Sequence, residues 1–360
     1  MKPFQLSLVS QLSREWTALK EEQLESKREL FPYAPSVFKF IFFFLLLLVI
    51  ASISVLFRVK GLTLSNLHEV FSADTKNLIY YTVWHVRMPR VLLAILIGAA
   101  LAVAGCLLQG ITRNPLSDPE IMGVNQGASC FVVLALLIFG DKDASFVILI
   151  AAFVGAAVGG SVVYSLAFRG EYTPSRLVLA GIAVSFFLGS VTTGSILLYE
   201  TQLNEILYWM AGKLSGANWL DIKLTLVTAG PVIIITALLA NQLNILALGE
   251  ETARGLGINV LRIRRIFALI IVLLVGSGVA VAGPIGFVGL MVPHIARKIV
   301  GEDYRIIIPF SALLGANLLV FADFVAQWVS YPADTPVGVI TALLGTPFFV
   351  YLMRRKRGAM

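Results

Sequence analysis

Two closely spaced arginines are the first residues in this sequence that could bind a charged partner. Arg87 and Arg90 stand three positions apart at the start of a long apolar span. On a helix this spacing puts both guanidiniums on one edge, where they could bind a carboxylate through paired hydrogen bonds. Snorkelling of both side chains to the membrane interface explains the pair equally well without a partner.

A second charged group fills the one long polar break between two strongly apolar spans. Residues 244–265 read NILALGEETARGLGINVLRIRR, with two acids, four arginines and three glycines. Within the break, residues 250–257 predict a short amphipathic helix bounded by Gly249 and Gly257, of the kind that fits into a groove on another protein. An ordinary surface connector is the alternative.

The segment 283–305, GPIGFVGLMVPHIARKIVGEDYR, predicts a membrane helix that runs into a charged face. His294 follows Pro293 and has no second ligand nearby, so a structural role at a helix end is favoured over metal binding. Cys106 and Cys130 lack metal-type spacing and are predicted to be small buried hydrophobic residues. No metal site is expected in this chain.

Few ionisable residues interrupt the apolar spans. Asp323, in LLVFADFVAQW, and Glu200, near a span end, are the only candidates for a carboxylate that couples transport to an ion gradient. The segment TRNPLSDPE breaks another span, which is tolerated only where protein or water satisfies the freed backbone groups. A structural turn is the favoured reading and a gate is the alternative; the residues concerned are Asn114, Pro115, Asp118 and Pro119.

The elements that must position these residues are membrane helices. The chain has 360 residues, of which 58% are hydrophobic and 14% charged, and its mean hydropathy is +0.86, values typical of a polytopic membrane protein. Crossing a bilayer takes about 17–25 apolar residues. Long continuous apolar runs argue against a β-barrel. We therefore predict an all-α bundle of about ten spans, near 38–58, 90–109, 121–140, 145–168, 175–198, 222–242, 265–283, 285–300, 306–330 and 337–353.

The net charge of +7 reflects topology rather than nucleic-acid binding, because the basic residues sit at the ends of spans. The positive-inside rule predicts that both termini and the loop 244–265 are cytoplasmic, with Arg58, Lys60, Arg87 and Arg90 outside. Residues 1–37 lack the pattern of a signal peptide and are predicted to be a cytoplasmic extension of a membrane domain that covers 38–360.

Three stretches of this sequence resemble the permease subunits of ABC importers for iron-siderophore complexes, haem and vitamin B12, the FecCD-like or type II importer family. They are residues 87–128, residues 248–265, and residues 283–305 together with 332–355. The resemblance implies that Arg87 and Arg90 receive glutamates of an extracytoplasmic substrate-binding protein. It further implies that the polar break docks on an ATPase, through Glu250, Glu251, Ala253, Arg254, Gly255 and Gly257.

Two positions depart from the family pattern. An arginine expected after the Asp of the ninth span is Gln327 here, and the usual Glu-Leu-Pro reads Asp334-Thr335-Pro336. Docking of a binding protein is therefore expected to rest on fewer charge pairs, or on a partner with a shifted acid.

The function expected from this resemblance is that of a non-catalytic permease in the bacterial plasma membrane, which moves ferric siderophore complexes inward. The chain lacks a GxxxxGK[ST] phosphate-binding loop, so ATP and magnesium are expected on separate ATP-binding subunits, and no cofactor on this chain. A second permease subunit, identical or homologous, completes the expected assembly. Cobalamin and haem are alternative substrates, and an ion-coupled carrier that uses Asp323 is the alternative mechanism. A membrane receptor or scaffold is a third, weaker interpretation.

Overall fold

The computed structural model describes residues 34–72, 77–120, 123–139, 144–167, 174–198, 203–330 and 333–357. All regular structure in these ranges is helical. The chain divides into two units, Met1–Leu45 and Leu46–Met360, and the second contains every functional group analysed below. Most of the predicted N-terminal extension, residues 1–33, lies outside the described ranges, as does Glu200.

Fourteen α-helices are numbered here in chain order within the described ranges. They are α1 (Ala34–Leu56), α2 (Leu78–Tyr81), α3 (Met88–Thr112), α4 (Val124–Phe139), α5 (Ala144–Ala167), α6 (Pro174–Leu198), α7 (Leu203–Met210), α8 (Trp219–Leu238), α9 (Ala240–Ala247), α10 (Glu250–Gly255), α11 (Val260–Ala282), α12 (Val288–Val300), α13 (Tyr304–Val329) and α14 (Val337–Arg357). A 3₁₀ helix covers Leu64–Phe71, and the π-helical segment Thr82–Arg87 joins α2 to α3.

Each of the ten predicted spans corresponds to a helix, which confirms the all-α fold class. Eight helices in the described ranges are long and apolar enough to cross a membrane. The other two, α4 and α12, have only 16 and 13 residues. At 1.5 Å per residue they are too short for a straight crossing of a hydrocarbon core about 30 Å thick. Each follows a stretch without regular helix, residues 113–120 before α4 and residues 283–287 before α12.

Helix α3 lies at the centre of the bundle. In its most apolar window 78% of the residues are buried, against 17% for the window in α1. It packs against α11, α12 and α13. A helix that is apolar all round and buried on all sides is expected at the core of a large membrane domain.

Glycines allow α3 to approach its neighbours closely. Gly98 faces Gly315 of α13, and Gly105 faces Gly289 of α12. A methyl group added to any of these four would overlap the backbone of the facing helix or a neighbouring side chain. In lipid, where no hydrophobic effect drives helices together, such close backbone contact is a main source of packing energy.

Replacing Gly105 by Ala should therefore destabilise the bundle. The new methyl group would overlap the carbonyl oxygen of Gly289, and overpacking of this kind costs about 1–3 kcal/mol. We expect Gly105→Ala to lower the melting temperature of the purified protein in detergent. Gly189→Ala is the matched control, because nothing lies within 4 Å of a methyl group at that position in α6. Equal melting temperatures for the two variants would contradict the packing account.

Candidate functional site

A network of charged and amide side chains lies where α3 begins. We call it the Arg90 cluster; its members are Arg87, Arg90, Asp323, Gln327 and Asp334. They come from the start of α3, the last turns of α13 and the segment before α14. Residues separated by more than 230 positions in sequence thus meet at one end of the bundle.

Arg90 is the centre of this cluster. Its Nε donates to both carboxylate oxygens of Asp323, at 2.9 and 3.0 Å, and its Nη1 donates to both oxygens of Asp334 at 3.1 Å. Arg90 is 6% exposed and Asp323 1%. A buried charge is tolerated only when it is paired and hydrogen-bonded, and the planar guanidinium satisfies two carboxylates at once.

Arg87 joins the same network through Gln327. Its Nη1 donates to Gln327 Oε1, and Gln327 Nε2 donates to Asp323 Oδ2 at 2.7 Å. An arginine at position 327 would repel both existing arginines, whereas the amide accepts from Arg87 and donates to Asp323. The two sequence departures, at 327 and 334, therefore lie in one hydrogen-bonded unit with the Arg-x-x-Arg pair.

The two arginines predicted to receive a binding protein are differently placed. Arg90 is buried, and its charge is paired with Asp323 and Asp334 inside the protein. Arg87 is half-buried at the edge of the cluster. The side chain of Asp334 is 40% exposed. Two arginines and two aspartates make the cluster formally neutral. The docking role of Arg87 and Arg90 stays a prediction, and Arg87 is the one whose position suits it.

The opposite end of α3 leads into the link 113–120, where the four predicted turn or gate residues lie. Asn114 Oδ1 accepts from the backbone N–H of Leu116 at 3.1 Å, and Asp118 Oδ1 accepts from that of Glu120 at 3.2 Å. Side chains of this type satisfy local backbone groups in turns. Pro119 and Asp118 lie against Gly289, so the link packs on the first turn of α12.

Two carboxyl groups in this link are shielded from solvent, Asp118 fully and Glu120 in part. Burial raises the pKa of Asp118 to about 7, with a further contribution from nearby Glu120 and opposing hydrogen bonds from the backbone of Glu120 and Phe287. Burial also raises the pKa of Glu120. Asp118 lies against Gly289 and Glu120 against Gly286, so both carboxyl groups adjoin the start of α12.

Arg113, which sequence reasoning missed, connects this link to the polar break. It ends α3 in a left-handed conformation, φ 50°, and its Nη2 donates to the carbonyl of Leu246 in the last turn of α9 at 2.5 Å. A cation that binds the free carbonyls at a helix C-terminus is favourable. A basic residue directly before the Asn-Pro was the available signal.

Helix α10 forms in the polar break where a short helix was predicted. Gly249 precedes it with φ 128°, a conformation that favours glycine. Ala253, on the inner face of the helix, is fully buried. Glu250 pairs with Arg254 at 2.8 Å and with Arg264 of α11 at 3.1 Å. Ala253 and Glu250 therefore fix the helix to the membrane domain.

The remaining predicted coupling residues point outward. Glu251, Gly255 and Gly257 are exposed, and so is Arg254. Two exposed leucines that the sequence analysis did not select flank them: Leu248 is 67% exposed and Leu256 61%. Apolar side chains next to charges, on a short helix outside the spans, form a surface suited to a protein partner.

Three polar side chains, Gln109, Arg297 and Tyr304, connect α3, α12 and α13 at the end of the bundle where α10 lies. Gln109 Nε2 donates to the carbonyls of Gly289 and Leu290, both at 3.2 Å, and Arg297 Nη1 donates to Gln109 Oε1 at 2.5 Å. The guanidinium of Arg297 lies over the ring of Tyr304, 5.8 Å from its centre. The sequence analysis noted Arg297 only as part of a charged face.

His294 and the cysteines occupy packed positions. His294 meets the ring of Phe348 edge-on, with centroids 5.8 Å apart, and both Cys106 and Cys130 are buried free thiols. Within the described ranges, no group of three or more His, Cys, Asp or Glu side chains could hold a metal ion.

Comparison with known proteins places this geometry in a family. The sequence pattern of the FecCD transport family matches residues 44–355. The chain belongs to the FecCD transport family. The Fe(3+)-citrate import system permease protein YfmD of Bacillus subtilis is 51% identical over 275 residues, covering 75% of this chain and 80% of YfmD. The Fe(3+) dicitrate transport system permease protein FecC of Escherichia coli is 43% identical, covering 76% and 83%.

A solved structure described as an inward-facing conformation of a putative metal-chelate type ABC transporter superposes with a TM-score of 0.78. It is 29% identical, and the alignment covers 88% of this chain and 98% of that one. The family resemblance expected from the three sequence stretches is thereby confirmed, and with it the role of a membrane-spanning transport permease.

The Arg90 cluster yields a first prediction for this FecCD-family chain. Arg90→Gln leaves the buried carboxylate of Asp323 without a cation, a change that costs about 3–5 kcal/mol of stability. Asp334→Asn is the matched control, because its side chain is 40% exposed and such pairs contribute about 1 kcal/mol or less. We expect Arg90→Gln to unfold at markedly lower temperature in detergent and Asp334→Asn to stay near wild type. Similar melting temperatures for both variants would refute the assignment.

Asp118 yields a prediction on pH dependence. Its folded-state pKa, about 7, lies above the ordinary value of 3.8, so the folded protein binds this proton more tightly than the unfolded chain. Stability from this group is present at low pH and is lost as the pH rises from about 4 to about 7. Asp118→Asn should therefore melt at higher temperature than wild type at pH 8, and this difference should shrink steadily as the pH falls toward 4. Glu302→Gln, an exposed acid, serves as control; parallel pH profiles for wild type and Asp118→Asn would show that the carboxyl is not buried as described.

Proposed function

We propose that this chain is the permease subunit of an ATP-driven importer of ferric chelates in the bacterial plasma membrane. The observation that supports the proposal is that two exposed surfaces suited to protein partners lie at opposite ends of a FecCD-family bundle. One is the exposed surface of α10 with Leu248 and Leu256, and the other is the rim of the Arg90 cluster. The chain catalyses nothing itself; separate ATP-binding subunits hold ATP and magnesium.

Helix α10 is proposed to dock into a groove on the ATPase. Its inner residues fix it to α11 through Arg264, while its outer residues remain exposed. Arg113 binds the carbonyl of Leu246, which lies about one helical turn before the start of α10. Movement of α9 and α10 would therefore pull directly on the link after α3. This contact gives ATP-driven motion a short physical route to the buried Asp118 and to α12.

The Arg90 cluster is proposed to receive an extracytoplasmic binding protein. Buried Arg90 holds Asp323 and Asp334 in place, while Arg87 at the edge of the cluster binds an acidic side chain of the partner. The positive-inside pattern supports this orientation, with both termini and α10 in the cytoplasm. A second permease subunit, identical or homologous, would complete a pathway along a two-fold interface.

The proposed substrate is a ferric chelate. YfmD is named for Fe(3+)-citrate import and FecC for Fe(3+) dicitrate transport, and both align with most of this chain. A chelated iron brings its own ligands, so the permease needs no metal site. Cobalamin and haem are the other substrate classes that the transport assay must include.

An ion-coupled carrier would need a carboxylate that can exchange its ion. Asp323 was the candidate, but it is 1% exposed and bound by Arg90 and Gln327. A carboxylate held in this way supports a structural role and favours the ATP-driven mechanism.

Gentle solubilisation of the tagged protein, followed by mass spectrometry of what copurifies, tests the assembly. We expect an ATPase, a binding protein and, in a heterodimer, a second permease. Recovery of the chain alone, with transport that survives ATP depletion, would contradict the proposal.

Substitution of Arg254 tests the role of α10. Arg254→Ala removes an exposed side chain while Glu250 keeps its pair with Arg264, so the helix should persist. We expect about tenfold weaker ATPase binding, the effect of losing one strong interface contact, and loss of coupling between ATP hydrolysis and uptake. Glu251→Ala should act in the same direction. Arg262→Ala is the control, because Arg262 is an exposed arginine of α11. Unaltered uptake in both α10 variants would contradict the coupling role.

Charge reversal at position 87 tests the docking surface. Arg87→Glu should weaken capture of the copurified binding protein by permease in nanodiscs, because it would repel an acidic partner. Lys60→Glu is the matched control, since Lys60 is an exposed cation outside the Arg90 cluster. The docking role fails if both reversals have the same effect on the dissociation constant.

A further inference from the structure

A cavity with no part in the proposed transport surfaces opens on the side of the bundle. Its volume is about 300 Å³, and α3, α4, α5, α6 and α11 all contribute to its wall. Ala157 and Ser161 of α5 and Leu269 of α11 line it and are exposed, so it is open toward the surrounding lipid. This size is at the lower end of the range for small-molecule sites.

The wall of the cavity changes in polarity along its length. Arg264, Arg265, Thr112 and Tyr164 lie at the end where α3 finishes and α11 begins. Apolar residues up to Val272 follow deeper in the bundle. Seven residues of helix, from Arg265 to Val272, correspond to about 10 Å of depth. The cavity is therefore charged at its mouth and apolar over most of the thickness of one lipid leaflet.

The charge at the mouth is positive. Two arginines line the cavity, and among the described residues no acidic side chain does. Arg264 is committed to Glu250 of α10, at 3.1 Å, with its side chain 13% exposed. Arg265 is exposed, and within the described part of the chain it has no ion pair. An anion at the mouth would thus meet Arg265 directly and Arg264 next to it.

We propose that this cavity binds an anionic phospholipid, with its phosphate at Arg265 and one acyl chain between α5 and α11. A phospholipid has the same sequence of charge, interface and hydrocarbon along its length as the cavity wall. Tyr164 is suited to the level between headgroup and chain, because its ring is apolar and its hydroxyl polar. Basic pockets between membrane helices are known to hold anionic headgroups.

The site borders the coupling region. Arg264 lines both this cavity and the groove beside α10, and it holds Glu250 there. A lipid phosphate at Arg265 would lie next to the residue that fixes α10. The inference concerns lipid binding alone and needs only the membrane location of the chain, so it can fail while the transport proposal stands.

Native mass spectrometry of the full-length permease, titrated with defined lipids, tests this proposal. The probes are phosphatidylglycerol and phosphatidylcholine with identical acyl chains. We expect tighter binding of phosphatidylglycerol, and about fivefold weaker binding of it by Arg265→Gln, the effect of one arginine near a lipid surface. Arg262→Gln is the matched control, because Arg262 is an exposed arginine of the same helix turn that does not line the cavity.

A second variant tests the acyl-chain portion of the site. Ala157→Phe places a ring in the cavity from an exposed position and leaves both arginines intact. We expect it to weaken binding of both lipids. Equal binding of the two lipids by wild type, an equal loss in Arg262→Gln, or full retention of lipid in Ala157→Phe would each overturn the proposal.

Discussion

The structure depends on one constraint: inside lipid, every charge and every free backbone group must find its partner within the protein. The Arg90 cluster meets this demand for charge. One guanidinium binds two carboxylates, and Gln327 supplies the remaining hydrogen bonds without adding a further charge. The links 113–120 and 283–287 satisfy backbone groups by packing on each other around the start of α12.

This constraint also separates packing from function along the molecule. The middle of the bundle is apolar and closely packed, with α3 held through glycine contacts to α12 and α13. Ionisable groups collect at the two ends, where partners can reach them. This distribution, with few ionisable groups inside the described spans, agrees with the proposed source of work at α10. The contact between Arg113 and Leu246 joins α9 to the link that follows α3.

Much of this arrangement could be predicted from the sequence, because composition and apolar run length determine where helices can cross a bilayer. All ten predicted spans correspond to helices, and α10 forms at 250–255 within the predicted 250–257. Helix α4 covers 124–139 of the predicted 121–140. Helix α12 begins at Val288 rather than near residue 285, because the apolar residues among 283–287 hide where the helix begins. Hydropathy does not distinguish a helical residue from an apolar residue in a link.

The Arg90 cluster could be predicted only in part. A carboxylate such as Asp323 in an apolar segment needs a cation to pair with, and Arg87 and Arg90 were possible partners in the sequence. Their pairing across 233 residues depends on how α3 and α13 align, which one sequence does not reveal. The same holds for the lipid cavity, whose wall comes from five helices. In both cases, one sequence does not reveal which helices distant in the chain come into contact.

Uptake of radiolabelled ferric citrate into proteoliposomes that contain the purified transport complex tests the central claim most directly. The account predicts accumulation that requires ATP, magnesium and the binding protein, and that is insensitive to dissipation of ion gradients. Accumulation driven by an ion gradient in vesicles that contain this chain alone, without ATP, would contradict it.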